Sequence, residues 1–552
     1  MPLLLYQLTQ DTIATCRFSE IPKDKPTSSA PVIQHPTLVD EPAYTVKILQ
    51  PAPSPLSTNP KSTPAASVSA TPRSEPTPAE RTLSVSEVTT LFLKSLLQSA
   101  EDFLGKKVDG TVISVPAYFD DAQRAALKKA AEDAGVTVLQ LLDEAGAAAV
   151  ATSDLSQPTA TSEDRTQLIV DLGASSLELS LTSMREGLAY SLASSSDPMF
   201  GPGDLIDSKL IKFFAKEFTK KTKTPLTVSP ASDPLDKRAE AKLLLAVEHT
   251  KRTLSASPGA ATCSVESLKD GLDFTGSINR MRFDMEVRSI YNAVLDKAKE
   301  LLSSAGLDLY DIDEIVYIGG SACLPGLDET LVGGGFREDV VTPFGAGTVV
   351  GGGAGDPTTI LARGCALQAQ IIASLGEDEA EVRKAFIERD SSLRNAISIT
   401  KTIGVLFPEK QSGEGLGGQW ISVLQKETAV PARRTVGFEV DLGEDNAKIL
   451  GLEIWEVKEG IKIDKVKPPK LEYEDEEEEE EEDIEVKERV IEKETVLGSL
   501  SLVVKHTTKD SKGKWKTKVE VQFLVGVDGV VEVDAWELGH KGEKVSVKLG
   551  TP

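Results

Sequence analysis

The chain is poor in aromatic residues, sulfur and histidine, and it holds no long apolar run. Phe, Trp and Tyr make up 5% of its 552 residues. Its four cysteines (Cys16, Cys263, Cys323 and Cys365) are scattered, with no C-x-x-C pair. That spacing excludes a zinc ribbon and a disulfide framework, and points to free thiols in a reducing compartment. The four histidines, His35, His249, His506 and His540, are isolated, so no histidine-based metal or catalytic centre is expected. No apolar run reaches the ~18–20 residues of a membrane span. The apolar start from Met1 to Leu8 lacks the basic flank of a signal peptide. Positive charge is also short: 61 Lys and Arg against 86 Asp and Glu leave a net charge of −25. Neutralising phosphates needs clustered basic residues, so no direct nucleic-acid binding is expected. The default is a cytoplasmic protein with no membrane contact.

What is present is length for three or four domain-sized units and a 40% hydrophobic fraction able to fill real cores. Residues 1–82 are rich in Pro, Ser, Thr and Ala and read as a largely disordered or remnant segment. Periodicity starts at Leu83. Ser84 or Ser86 can cap a helix through Val88, Phe92 and Leu96 to Phe103, stopped by Gly105. Asp120 or Asp121 can cap a second helix, rich in strong formers from Ala122 onward. Residues 169–172 predict a buried strand with a hairpin mate at 177–181. Residues 205–218, 236–254 and 285–305 predict helices, and 315–318 another strand. This mixture predicts a layered α/β body over 83–376, followed by a linker helix and hinge over 377–396.

From 397 to 552 the hydrophobic period changes to two, through 435–440, 449–457, 500–504, 518–525 and 530–535. Val527-Asp528-Gly529 is a hairpin turn signal, and this half predicts a β-sandwich. It holds all four tryptophans. An acidic run at 474–483, inside a loop placed at 472–487, should be held extended by self-repulsion. It fits a plain polar connection or a docking strip for a basic partner.

Four short segments could carry chemistry. Asp171 ends the apolar run LIVDLG, and an aspartate at a strand end can hold hydrated Mg²⁺ beside a triphosphate. Gly173 after it lets backbone N–H groups approach phosphate oxygens. The segment Gly201-Pro202-Gly203-Asp204 opens a helix. Glu248, Lys251 and Ser255 share one face of a long helix, beside Arg252. On spacing alone these fit a surface ion pair better than a ligand site. Gly319 and Gly320, followed by Ser321, allow close backbone approach to a ligand.

The order and wording of these segments resemble the 70-kDa heat-shock (DnaK-type) chaperone family, most closely its fungal Ssz-type branch. VPAYFDDAQR and DEAGAAAVA are similar to blocks of that family's nucleotide-binding domain. DLGASSLELSL resembles its second phosphate motif, EHTKRTLS its adenosine-contacting helix, and YIGGSACLP its second adenosine loop. VPARRTVGFEV and VDGVVEVDAWE resemble strands of its peptide-binding sandwich. The resemblance implies an actin-like ATPase-type nucleotide-binding domain and an all-β sandwich. It implies ATP and Mg²⁺ as cofactors, with Asp171, Gly173, Gly203, Asp204, Glu248, Lys251, Arg252, Ser255, Gly319, Gly320 and Ser321 as contacts.

Departures from the family pattern shape the rest of the expectation. Ala174 and Ser175 replace two glycines of the phosphate motif, and Pro202 removes an N–H from the γ-phosphate turn. Cys323 stands where the family has an adenine-stacking arginine, and Thr358 where it has an aspartate. The family's switch proline is replaced within Asp143-Glu144-Ala145-Gly146, and the leucine-rich linker is only echoed near Ile397. No D-L-G-T-T loop precedes Leu83, so an incomplete first lobe is expected, from a truncated gene model or a degraded lobe. No helical lid is expected after the sandwich. The implied role is a hydrolysis-deficient chaperone that pairs with a J-domain protein of the zuotin kind. It would reach the ribosome indirectly and stimulate a second 70-kDa chaperone acting on nascent polypeptide. The competing reading is an autonomous ATP-hydrolysing foldase.

Overall fold

The computed structural model describes residues 32–39, 41–50, 77–153, 164–185, 187–198, 200–349, 353–376, 379–387, 398–408, 416, 418–443, 448–466, 484–509 and 515–550. The chain divides into two compact units, 1–144 with 365–376, and 145–364 with 377–552.

In the first unit, β1 (Val32–Gln34), β2 (Pro42–Gln50) and β3 (Thr77–Ser84) form an antiparallel sheet in that order. Part of the span read as disordered or remnant is therefore ordered strand. Tyr44 and Leu83, paired across β2 and β3, are both buried, and that local apolar pair was masked by the Pro-rich composition around it. Helix α1 (Val85–Leu104) begins at Ser84, whose hydroxyl accepts from Glu87 N while Glu87 returns a bond to Ser84 N. This reciprocal cap satisfies two orphan donors. Gly105, with φ 67°, ends the helix as expected. β4 (Thr111–Val115) and β5 (Val138–Asp143) pair in parallel around α2 (Asp121–Asp133), which Asp120 caps through Gln123.

The second unit opens with α3 (Glu144–Thr152) and a four-stranded sheet. Its strands are β6 (Arg165–Leu172), β7 (Leu177–Arg185), β8 (Leu188–Asp197) and, later in the chain, β11 (Glu314–Ile318), in the order β11-β6-β7-β8. β11 lies parallel to β6, and the other pairs are antiparallel. Period-two alternation sorts the side chains. Leu168, Val170, Leu172, Ile315 and Tyr317 face the main core. Ile169, Val316 and Ile318 face Ala148, Ala151 and Ile360 on the other side. The main core is closed by α4 (Pro202–Thr222), α5 (Pro234–Ala256), the hairpin β9 (Ala260–Lys269) and β10 (Leu272–Asn279), α6 (Arg280–Ser304) and α7 (Pro325–Val332).

On the opposite face Gly364, the last residue of this stretch of the unit and part of α8 (Ile360–Ser374), packs against Ala147. A Cβ there would land on the Ala147 carbonyl, with Ala147 itself fully buried. Gly364→Val is expected to lower stability by about 2–3 kcal/mol through overpacking, measured by urea unfolding. Gly364→Ala should fall between the two.

After α9 (Ala380–Ile387) come the strands of the sandwich. One sheet orders β13 (Gly418–Leu424), β12 (Thr402–Pro408), β15 (Ile449–Val466) and β16 (Ile484–Val503). The other orders β14 (Ala432–Gly443), β18 (Trp515–Val525), β19 (Val531–Glu537) and β20 (Val545–Leu549), with the short β17 (Thr508–Lys509) on β18. Ile403, Val405, Ile454, Val521, Phe523 and Val533 interdigitate as its core. The run 474–483 lies outside the described residues, but the loop placed at 472–487 is too long. Residues 484–487 already pair with 466–463, where β-branched residues continue the ladder.

The sandwich meets the α/β part of its unit through charge. Arg434 grips Asp164 with two bonds of 2.6 and 2.8 Å. Arg185 donates to the Lys426 carbonyl at 3.0 Å, Lys487 lies 2.9 Å from Asp308, and Arg489 donates to the Tyr310 carbonyl at 3.1 Å.

Candidate functional site

Four elements of the second unit carry the expected site. Asp171 stands near the C-terminal end of β6, and Gly173 opens the turn to β7. Gly203 and Asp204 lie in the first turn of α4. Glu248, Lys251, Arg252 and Ser255 occupy the last turns of α5, and Gly319, Gly320 and Ser321 form the turn after β11.

Three of these segments touch through backbone. Gly319 has φ 91°, and a Cβ there would sit 2.5 Å from the Leu172 carbonyl and 3.2 Å from Asp171 Oδ1. Glycine is required on both counts. Its N–H donates to the Pro357 carbonyl at 3.0 Å, so the Asp356-Pro357-Thr358 loop fixes the turn. Asp356 in turn accepts from Thr358 N and Oγ1 at 2.9 and 2.7 Å. A Cβ on Gly203 would meet Ser321 Oγ at 2.6 Å and Ala174 Cα at 2.8 Å. Gly320, by contrast, faces open space.

The α4 terminus is the obvious place for an anion, since its first N–H groups lack helical acceptors. Pro202, the first helical residue, has no N–H to offer. Gly203 N donates to the Gly173 carbonyl at 3.2 Å and Asp204 N to the Ala174 carbonyl at 2.9 Å. The Leu205 N–H bonds back to Gly201 O at 3.0 Å. The donors that would receive a terminal phosphate are thus engaged by the loop at Gly173 and Ala174.

The α5 face is differently built. Lys251 Nζ lies 2.7 Å from Asp207 Oδ1 and 3.0 Å from Glu248 Oε2, and Arg252 Nε lies 2.9 Å from Glu248 Oε1. Burial works to lower the Lys251 pKa, but Asp207 and Glu248 together hold it above the ordinary value. Burial pushes the Asp207 carboxyl up, and Lys251 offsets this only in part. For Glu248 burial again pushes upward, but Lys251 and Arg252 prevail and hold it low. Ser255 remains within its own helix, its hydroxyl donating to the Arg252 carbonyl at 2.9 Å. Asp207 is the residue that sequence reasoning did not single out. Its signal is a carboxylate set between Ile206 and Leu210, two fully buried positions of α4.

Tyr317, fully buried under the glycine turn, donates to Asp328 at 2.9 Å and so anchors the turn to α7. The Cys323 thiol is pushed up to about 11 by burial and by Asp356, which keeps it protonated and inert at neutral pH.

For a nucleotide, the residues fit in one half and conflict in the other. The open Gly320 and the Glu248–Lys251 face suit a nucleoside. The α4 terminus has no free first-turn donors for a triphosphate.

Residues 61–387 match the family described as Hsp70 protein. The chain is 34% identical over 480 residues to a heat shock protein 70 homolog of Schizosaccharomyces pombe, spanning 85% of this chain and 76% of that relative. It is 29% identical over 464 residues to the ribosome-associated complex subunit SSZ1 of Saccharomyces cerevisiae, spanning 83% and 78%. With a ribosome-associated molecular chaperone of the same yeast it shares 36% over 251 residues, or 46% of this chain and 39% of the relative.

Proposed function

This chain belongs to the Hsp70 family, and on that premise we propose that it is a hydrolysis-deficient chaperone acting at the ribosome through a partner. The chain holds a nucleotide by its nucleoside. It then serves a J-domain protein as a structural companion, and the pair stimulates a second 70-kDa chaperone acting on nascent polypeptide. The observation that carries this reading is the closed α4 terminus, where Pro202, Gly203 and Asp204 leave no N–H for a γ-phosphate. Electrostatic stabilisation by such donors is the main lever for phosphoryl transfer, because the transferred group carries spread charge and needs little covalent help.

Family members bind ATP with Mg²⁺. Here Asp171 would hold the hydrated ion, and Glu248, Lys251, Arg252, Gly319 and Gly320 would orient the base and ribose. When bound, the nucleotide would supply a rigid link between α5 and the turn after β11. The relatives named as ribosome-associated support the site of action. No helix of the described residues is long and apolar enough to cross a membrane, and a cytoplasmic setting accords with the scattered thiols.

The test is reconstitution. With a J-domain partner, the purified chain should co-sediment with ribosomes and accelerate ATP turnover by a separate 70-kDa chaperone. Full acceleration by the J-domain protein alone would remove the role proposed.

A further inference from the structure

α4 carries a feature that net charge conceals. Lys209, Lys212, Lys216, Lys220 and Lys223 recur every three or four residues along the helix and its C-cap. At 100° per residue they fall within an arc of about 80°, on a line about 21 Å long. Lys212, Lys216, Lys220 and Lys223 are exposed, and Lys209 is half-buried. None of the five makes an ion pair among the described residues. The helix's own acids lie elsewhere. Asp207 is held by Lys251, Glu217 turns its Oε2 inward toward Gly276, and Asp204, in the first turn, lies about 120° around the helix from the centre of the row. Lys221 is off the line and occupied, donating to the Thr275 carbonyl at 2.7 Å.

Five unpaired ammonium groups in a row repel one another, an arrangement that a chain of net charge −25 could readily have neutralised. Screening over about 8 Å at physiological salt means that an approaching molecule feels this row and not the distant acids. The row contains lysine only. Leu205 is the one exposed apolar side chain on its line, and no exposed aromatic ring among the described residues accompanies it. Such a surface lacks what a folded protein partner needs, a buried apolar anchor, and it lacks stacking groups for unpaired bases. It suits a phosphodiester backbone, whose charges are denser than the lysines and so can satisfy each of them.

We propose that this face of α4 is a sequence-independent contact for double-stranded RNA. The proposal deepens the reading above: the partner brings the chain to the ribosome, and α4 then rests on ribosomal RNA. It also revises the expectation that net charge excludes every nucleic-acid contact.

The experiment is fluorescence anisotropy of the full chain with an RNA hairpin of about 20 base pairs, over roughly 50–200 mM salt. An unlabelled Glu/Asp decapeptide serves as competitor. The variant is K212Q/K216Q/K220Q, surface changes whose folding is checked by thermal melting. The expected result is binding that weakens steeply with salt. In the variant, affinity falls at least about tenfold at the lowest salt, and the log–log slope shrinks by about 2–3, near one unit per lysine. Absence of RNA binding at the lowest salt, or an unchanged slope in a folded variant, overturns the proposal. So does preferential capture of the acidic peptide, which would assign the row to a protein partner. Partner-dependent sedimentation with ribosomes is measured in parallel. If it persists while RNA binding is absent, the RNA contact fails and the ribosomal role stands. If it is absent while RNA binding holds, the reverse is true.

Discussion

Arg165→Ala lowers the free energy of unfolding by about 3–5 kcal/mol, measured by urea denaturation at neutral pH. Arg165 is buried at the start of β6. Its Nε lies 2.7 Å from Glu314 Oε2, and Nη2 donates to the Thr152 carbonyl at 2.9 Å. The same Glu314 oxygen accepts from Gln167 at 2.8 Å, and Gln167 also donates to Thr152 Oγ1. Removing the guanidinium leaves Glu314 as a buried charge with one neutral donor. Desolvation of such a carboxylate is what makes breaking one half of a buried pair so costly. Arg165→Ala with Glu314→Gln should recover about half of the loss, because the stranded charge is gone. A single-variant loss below about 1 kcal/mol would mean that water reaches the pair. The consequence for function is direct, since β6 carries Asp171 near its end and β11 leads into the glycine turn.

Lys251→Met is expected to cost about 3 kcal/mol of stability and to weaken adenine-nucleotide binding at least about 30-fold, read by calorimetric titration. The stability cost has a pH signature. Asp207 and Glu248 hold the folded Lys251 pKa above its ordinary value. The stabilisation is therefore complete below the unfolded lysine pKa and is lost only as pH rises through the higher folded one. At the acid end the variant strands Asp207, whose folded pKa is already raised by burial. Protonating Asp207 relieves that cost, so the gap between wild type and variant narrows as pH falls through the raised Asp207 value. Glu248 works with the opposite sign, because its depressed pKa gives stability above the unfolded value that is lost as pH falls through the folded one. A gap that holds through the raised Asp207 value and narrows only in the lower range where Glu248 protonates would place the dominant loss at Glu248 instead of Asp207.

Much of this was open to reading in the sequence, for reasons that are local. Ser84 with Glu87, and Asp120 with Gln123, are caps set by residues three apart. The strands that carry Asp171 and Ile318 announce themselves because burial on both faces leaves short apolar runs. Site residues on one element, such as Glu248 and Lys251, follow from helical spacing.

What could not be read depends on distance along the chain. The Arg165–Glu314 pair joins residues 149 positions apart, and Arg434–Asp164 joins residues 270 apart. Neither leaves a periodic trace. The β9–β10 hairpin leaves a weak apolar pattern because its inward positions use small or unusual residues, Ala261, Cys263 and Gly276 among them. Ala174 and Pro202 are visible in the sequence as departures from the motifs it resembles. The engagement of Gly203 N and Asp204 N by the facing loop is a tertiary fact that no spacing encodes. The basic row on α4 is legible in the sequence, but net charge conceals it by averaging over a surface that a ligand never samples as a whole.

The central claim is that nucleotide recognition survives on the purine side while the terminal phosphate has no donors. It is tested most directly by comparing adenosine, ADP and ATP in equilibrium titrations of the purified chain, followed by single-turnover hydrolysis of bound ATP without any companion protein. The expected result is that ADP and ATP bind within about threefold of each other, roughly 0.7 kcal/mol, and that bound ATP stays intact over hours. A preference for ATP of about a hundredfold, or steady cleavage of the bound nucleotide, would contradict it.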